Sequence, residues 1–415
     1  MKKIAFHWQV LIGLIIGVLF GLFLKDYVSY VSWMGIVFLR GLRMVIIPLI
    51  LTSIISGIAN IGNAENLGRL GLKTMVYYIS TSLLAIITGL FFVNLIKPGV
   101  GADLGLVKQV TELSAVQDSF SETLLKIIPT NIFEALTSGE MLSIIFFAIV
   151  FGFFITKVDK KPSDFLTDMF NSLFEVIMKI TMLVIKLTPL GVLGIVAKAV
   201  SDAPSITEFA GRMGIYMITV ILGLFVHTFI SLPLVLRFIG KMNPIWHFKN
   251  MATPLLTAFS TASSSATLPL TMNAIEYKSG VSNKISSFTL PLGATVNMDG
   301  TALYECVAAM FIAQAYGVDL TLGQQVIVVL TALLASIGAA GIPMAGLVMI
   351  SIILSAVGLP LEGLGLILAV DQILDMFRTT VNVYSDTCGA VIIAKSEGEI
   401  LNDKKLINNI HENTR

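Results

Sequence analysis

Charge is scarce in this chain. Asp, Glu, Lys and Arg make up 13% of its 415 residues, and 27 basic against 26 acidic side chains leave a net charge of +1. That net charge says nothing about nucleic acid, and no basic patch interleaved with aromatics, the footprint of a nucleic-acid-binding protein, is present in the sequence. Cysteine is scarcer still: Cys306 and Cys388 are the only two, both inside apolar segments. Neither a disulfide framework nor a thiolate metal site follows from them. Histidines are few and scattered, at His7, His227, His247 and His411. A lone one such as His227 on an apolar helix reads first as a packed or hydrogen-bonded residue rather than a ligand.

What fills the space instead is apolar. Hydrophobic residues reach 55% and the mean hydropathy is +0.88, far outside the range of a soluble domain. The chain therefore reads as an all-α polytopic membrane protein. Crossing a hydrocarbon core of about 30 Å takes about 20 apolar residues. Candidate spans are Trp8 to Leu24, Val31 to Ile61, Thr74 to Ile96, Met141 to Ile155 with a leading amphipathic piece, Phe170 to Val200, Gly214 to Leu236, Ile285 to Gly317, and Leu361 to Ala394. Two further apolar regions, about 243–276 and 323–358, are interrupted by Ser, Gly and Pro and read as re-entrant hairpins. The first segment follows Lys2 and Lys3 but lacks a small-residue cleavage site, so it reads as a retained helix rather than a signal peptide.

The connecting segments give an orientation. One side collects Lys2, Lys3, Arg69, Lys73, Lys157, Lys160, Lys161, Arg237, Lys241, Lys249, Lys278, Lys284, Lys395, Lys404, Lys405 and Arg415, and the other Lys25, Lys97, Lys108 and Arg212. Sixteen bases against four place both termini in the cytoplasm. The longest polar connection, Lys97 to Asp118, is then an extracellular loop.

Against this background the last span is unusual. Asp371, Asp375, Arg378, Asn382 and Asp386 follow one another in steps of four, three, four and four. At roughly 100° per residue these keep within about an 80° arc of one helix face. A charge at the bilayer centre costs about 2.5 to 3.5 kcal/mol, so a stripe of three carboxylates and a guanidinium between two apolar flanks marks function. The alternative, the solvated face of a surface helix, does not suit those flanks.

Other polar groups cluster in the same half of the chain. The first hairpin turns at Ser260-Thr-Ala-Ser-Ser-Ser-Ala-Thr267, whose hydroxyls and backbone N–H groups could bind an anion or could form an ordinary serine-rich turn. Asn297-Met-Asp-Gly300 would mark a turn in a soluble protein; within a span it implies an unwound segment offering hard oxygen ligands suited to alkali cations. Glu305 lies further along the same span. Dehydration penalises a carboxylate's charged form, so Glu305 is a candidate proton carrier, with a static hydrogen-bonding role as the alternative. The second hairpin turns at Ser336-Ile-Gly-Ala-Ala-Gly-Ile-Pro-Met-Ala-Gly346, a backbone able to hinge as a gate or simply to pack closely. Tyr78, Thr81 and Ser82 offer hydroxyls at helical spacing that could equally be bonded back to their own helix.

Charge balance discriminates among functions. Five acids in the C-terminal spans, Asp299, Glu305, Asp371, Asp375 and Asp386, face one deeply placed base, Arg378. Dehydrated and ionised together they would be intolerable, so cations or protons must enter with the substrate. That pattern suggests ion-coupled symport.

Taken together, the serine-rich tip, Asn297-Met-Asp-Gly-Thr301, the Gly-Ile-Pro turn and Asp371 through Asp386 resemble the dicarboxylate/amino acid:cation symporter family, which includes excitatory amino acid transporters and archaeal aspartate transporters. The resemblance runs over essentially the whole chain. It implies eight transmembrane helices plus two re-entrant hairpins in an elevator fold, assembled as a homotrimer in the plasma membrane. Residues 1–72 and 119–200 would form the scaffold and trimerisation part, and 73–97 with 213–395 the moving transport part. Residues 396–415 would be a cytoplasmic tail.

Carried over by position, the resemblance gives Asp375 the substrate ammonium, Arg378 the side-chain carboxylate and Asn382 the α-carboxylate. Thr301, Thr379, the backbone of Ser263, Ser264 and Ser265, and Ile342 and Gly346 of the gate complete the pocket, with Asp371 orienting Arg378. One sodium site would use Asp386 with carbonyls of Gly293, Asn297 and Asn382. A second would use Tyr78, Thr81, Ser82, Asn297 and Asp299. A third would use Thr295 and Met298 with carbonyls of Ser336, Ile337 and Ala339. Glu305 matches the glutamate of proton-coupled relatives. Where relatives carry an extra arginine near the site, this chain has Ala262 and Met376.

The expected function is uptake of L-glutamate and L-aspartate coupled to Na+, H+ or both, with no further cofactor, no nucleic-acid partner and no enzymatic activity. A bidentate guanidinium calls for a second substrate carboxylate. A C4-dicarboxylate symporter is the alternative in the same class, although Asp375 would then lack an ammonium. An intramembrane aspartyl protease is more remote, for the chain has no Gly-x-Gly-Asp motif. A channel suits a hinged gate poorly.

Overall fold

A computed structural model of the chain describes residues 6–62, 68–101, 128–202, 206–338 and 345–402. Ala339 and Ile342 of the expected gate, most of the loop after Lys97, and the end of the C-terminal tail lie outside them. The described residues contain helices and no strand.

The first group of helices comprises α1 (Phe6–Phe23), α2 (Ser29–Gly62), then, after an intervening α3 (Gly68–Ile96), the short α4 (Ile132–Ser138), α5 (Met141–Ile155), α6 (Lys160–Lys186) and α7 (Thr188–Asp202). Helix α1 packs along α7, and α2 packs against α5, α6 and α7. Small residues make the first contact possible: a Cβ at Gly17 would lie 2.9 Å from the carbonyl oxygen of Leu193. Without a side chain there, the two backbones meet closely, as membrane helices need to when lipid offers no hydrophobic drive.

The second group gathers around α14 (Asp299–Ala315), buried along nearly its whole length. It contains α3, α8 (Ile206–Val226), which continues through a π-helical turn, His227–Ser231, into α9 (Leu232–Phe238), and α10 (Pro244–Asn250). Next come α11 (Ala252–Thr261) and α12 (Ser264–Tyr277), then α13 (Asn283–Val296). The chain closes with α15 (Leu322–Gly338), α16 (Ala345–Ala356) and the 33-residue α17 (Leu364–Ser396). Helix α14 packs against α3, α8, α15, α16 and α17, while α11, α12 and α13 pack against α17.

Both interrupted regions form paired helices. Helix α11 ends at Ala262 in the left-handed conformation (φ 48°), and Ser263 then caps α12 by accepting a hydrogen bond from the backbone N–H of Ala266. Helices α15 and α16 pack on each other across residues 339–344.

Several expected spans differ from single straight rods. Among the described residues, Ser29–Asn60, Arg69–Ile96 and Ala210–Phe238 are long and apolar enough to cross a bilayer, and α6 with α7 forms one more bent by 49°. The segment expected as one span from Phe170 to Val200 therefore bends at Leu187, next to Pro189 at the start of α7. Pro189 has no N–H to give the carbonyl of Ile185 four residues back, so the helical ladder is interrupted here, and the Thr188 hydroxyl donates to that carbonyl instead at 2.6 Å. Likewise Ile285 to Gly317 is two helices, with Asn297 (φ −96°, ψ 84°) and Met298 (φ −115°, ψ 58°) unwound between α13 and α14.

Candidate substrate and cation site

The polar stripe of α17 turns inward. Asp371, Asp375, Arg378, Thr379, Asn382, Ser385 and Asp386 are all buried, and Arg378 is among the largest fully buried side chains. Burial of a guanidinium requires partners. Its Nη1 donates to Asp371 Oδ1 at 2.9 Å and its Nε to Asp375 Oδ1 at 2.7 Å. Tyr304, from α14, donates its hydroxyl to the same Asp371 oxygen at 2.6 Å and lays its ring 4.4 Å from the guanidinium carbon. Asp371 thus sits where it can orient Arg378, and Thr379 lies 3.4 Å from Asp375.

Three separate elements meet α17 along this stretch. Gly346 of α16 abuts the guanidinium, since a Cβ there would fall 2.8 Å from Nη1. The ring of Phe259 on α11 packs edge-on against Phe377, their centroids 5.2 Å apart, which brings the first hairpin beside Arg378. Within that hairpin's tip Ser264 is buried, Ser263 half-buried and Ser265 exposed. The third element is the start of α14. Asn382 Oδ1 accepts from the backbone N–H of Gly300 at 2.8 Å and of Thr301 at 3.3 Å, and its Nδ2 donates to Thr301 Oγ1 at 3.0 Å. A helix N-terminus leaves orphan N–H groups, and here a side chain from another helix accepts two of them.

One turn further along α17 lies a second cluster. Asp386 Oδ1 accepts from Asn297 Nδ2 at 2.9 Å, and Asn297 Nδ2 also lies 3.1 Å from Ser385 Oγ. Gly293 faces Asp386, and a Cβ in its place would fall 2.8 Å from the Tyr78 hydroxyl. Asp299, the first residue of α14, accepts from Ser82 at 2.7 Å on one oxygen and from Ser385 at 2.6 Å on the other. His227 Nε2 approaches that second oxygen at 3.1 Å. Thr81 is bonded back to the carbonyl of Tyr77 at 3.1 Å while lying 3.4 Å from Asn297 Oδ1. Tyr78 donates instead to the Thr289 carbonyl at 2.7 Å. The unwound Asn297–Met298 link, α3 and α17 together make an oxygen-rich, buried setting suited to a hard cation.

The remaining expected residues are less convergent. Met298 is buried, Thr295 is exposed with its hydroxyl bonded to Leu292 at 3.0 Å, and Ser336 is buried with its hydroxyl bonded to Leu333 at 2.8 Å. Helices α13 and α15, which carry Thr295 and Ser336, pack together, and Ile337 is on the latter. Glu305 is wholly buried, and neither carboxyl oxygen has a hydrogen-bond partner among the described residues.

Tyr304, Ser385 and the pairing of His227 with Asp299 were not reached from the sequence. Tyr304 stands three residues beyond Thr301, on the same helix face, which is the one signal it carried. His227 is hydrogen-bonded and packed, as its isolation on an apolar helix suggests.

A helical membrane protein whose buried charges meet at broken helices is, in class, a solute carrier of the kind built on discontinuous helices. Residues 6–396 match the family model described as the sodium:dicarboxylate symporter family, and the chain belongs to that family. It is 37% identical to excitatory amino acid transporter 3 of Mus musculus, over 94% of this chain and 85% of that protein. It is 35% identical to the proton/sodium-glutamate symport protein of Geobacillus stearothermophilus, over 97% of each chain. An excitatory amino acid transporter of Caenorhabditis elegans is 37% identical, over 92% of this chain and 85% of its own.

Proposed function

We propose that this chain is a secondary active symporter taking up L-glutamate and L-aspartate with Na+, H+ or both, by elevator-type alternating access. The observation that carries this reading is the buried Arg378 held between Asp371 and Asp375. A substrate bearing a carboxylate and an ammonium can exchange with that internal pair one for one: its side-chain carboxylate takes the guanidinium, and its ammonium takes Asp375 as Arg378 Nε leaves. Asp371 and Tyr304 keep the guanidinium in place during the exchange. The α-carboxylate falls to Asn382 Nδ2, Thr301 and the serine-rich tip. A neutral amino acid would leave a buried charge without its counter-ion, at a cost of about 2–5 kcal/mol.

Sodium ions take the oxygen clusters. Asp386 with Gly293, Asn297 and Asn382 holds one, and Asp299 with Tyr78, Thr81, Ser82 and Asn297 a second. A third forms from Thr295, Met298, Ser336, Ile337 and Ala339 as the Ile342 to Gly346 gate closes. Glu305, whose carboxyl oxygens have no hydrogen-bond partner among the described residues, carries the proton. One relative carries both couplings in its name, the proton/sodium-glutamate symport protein, which supports this reading. The division of packing into a group around α2 and a group around α14 supports a static scaffold and a moving transport part. The protein would work as a homotrimer in the plasma membrane with both termini cytoplasmic.

The family's description also admits a C4-dicarboxylate as substrate. Competition separates the two readings: unlabelled aspartate should suppress uptake of labelled glutamate, and strong suppression by succinate would contradict amino acid specificity.

A further inference from the structure

Away from this site, a cavity of about 440 Å³ lies where α2, α7 and the 3-10 turn Leu361–Gly363 at the head of α17 come together. Three bases line it, Arg40, Arg43 and Lys198, with two acids, Asp202 and Glu362. Both acids are already taken: Arg43 Nη2 meets Glu362 at 2.9 Å and Lys198 Nζ meets Asp202 at 2.8 Å. Arg40 forms no ion pair among the described residues. Three bases and two acids leave the cavity with one positive charge, carried by Arg40.

The position of that charge narrows what can neutralise it. Tyr27, Tyr30 and Trp33 are all exposed at the head of α2, as aromatic residues at a membrane interface are. Arg40 follows Trp33 by seven residues, about 10 Å along the helix, within reach of that interface for a long side chain. Leu39, Ile195 and Leu366 line the same cavity. Ile36 lines it too and, with Val37 and Met44, is exposed on α2. Along α2 the uncompensated Arg40 stands between exposed apolar residues, Ile36 and Val37 toward the aromatic head and Met44 beyond it, and a charge set among apolar side chains complements a phosphate joined to acyl chains. A single uncompensated base matches the one charge of a phosphodiester.

We infer that this cavity seats the headgroup phosphate of one anionic phospholipid, with Arg40 as its main counter-ion. A zwitterionic lipid would bring its own ammonium into a cavity that already holds one uncompensated positive charge, so the site selects lipids whose headgroup adds no cation. The occupant bridges the two packing groups, because Arg43 on α2 and Glu362 before α17 form part of its rim.

The test is lipid retention, which does not depend on what the protein transports. Purified protein is equilibrated with vesicles of phosphatidylcholine and phosphatidylglycerol, stripped in mild detergent, and its retained lipid counted by native mass spectrometry. One charge contact with a lipid headgroup is worth about 1 kcal/mol, so wild type should retain phosphatidylglycerol about fivefold over phosphatidylcholine. Arg40→Gln should lose that preference and Arg40→Lys should keep it, which separates lost charge from misfolding. Lys179→Gln, at an exposed ion pair on α6, should retain it in full. An Arg40→Gln protein with wild-type preference would overturn the inference. So would a wild type without preference, or displacement of the lipid by soluble glycerol phosphate at equal concentration.

Discussion

Arg378 already has two carboxylate partners, so substrate must compete with Asp375 for it rather than find a free guanidinium. Arg378→Ala should therefore weaken acidic amino acid binding by about 30-fold or more, the effect of leaving a buried carboxylate without its counter-charge. Isothermal titration with aspartate at fixed sodium measures it. Tyr304→Phe keeps the ring against the guanidinium but removes the 2.6 Å bond to Asp371. Losing one hydrogen bond, worth about 0.5–1.5 kcal/mol, should cost binding roughly two- to tenfold, without altering which ions drive uptake. At this scale the sequence was legible where partners share a helix: spacing alone put Asp371, Asp375, Arg378, Asn382 and Asp386 on one face. It was silent where a partner stands on another helix. Tyr304, Ser385 and His227 gain their meaning from contacts 67, 86 and 72 residues away along the chain, which no local pattern encodes.

Between elements, the decisive feature is the break at Asn297–Met298. Its turn-forming residues are visible in the sequence, yet what keeps the break from refolding into helix is Asn382, which accepts from the first turn of α14. Asn382→Ala leaves two buried N–H groups without that acceptor and should cost about 1–3 kcal/mol of stability, read as a lower melting temperature in detergent. Gly300→Ala should be destabilising as well, because its Cβ would lie 2.9 Å from the Cα of Arg378, with backbone rather than a flexible side chain in the way. The bend between α6 and α7 lies inside a segment that reads as one apolar span, in which Pro189 is the one helix-breaking mark. Composition describes how greasy a segment is, and a bend within the bilayer leaves greasiness unchanged.

Across the whole molecule, one end of the α14-centred group is pinned by ion pairs. There Lys73 and Arg69 on α3 meet Glu397, just past α17, at 2.6 Å and 2.7 Å. The Lys73 hydrogen bond, with help from Arg69, holds the Glu397 carboxyl below the usual carboxylate range. A group whose folded-state pKa is lowered adds stability above its unfolded pKa, and loses that contribution as pH falls through the folded value. Glu397→Gln should thus lower the melting temperature at neutral pH and show a smaller further drop on acidification below about pH 4 than wild type does. Coupling belongs to this scale too, since five buried acids outnumber Arg378, an excess of negative charge that the proposed entry of cations or protons would balance. The most direct measurement is uptake of labelled glutamate into proteoliposomes with sodium and pH gradients imposed separately, in wild type and in Glu305→Gln. Uphill accumulation in wild type, with the pH-driven part lost in Glu305→Gln, is the predicted result. Mere equilibration under both gradients in wild type would contradict symport, and pH-driven accumulation unchanged in Glu305→Gln would contradict the proton assignment.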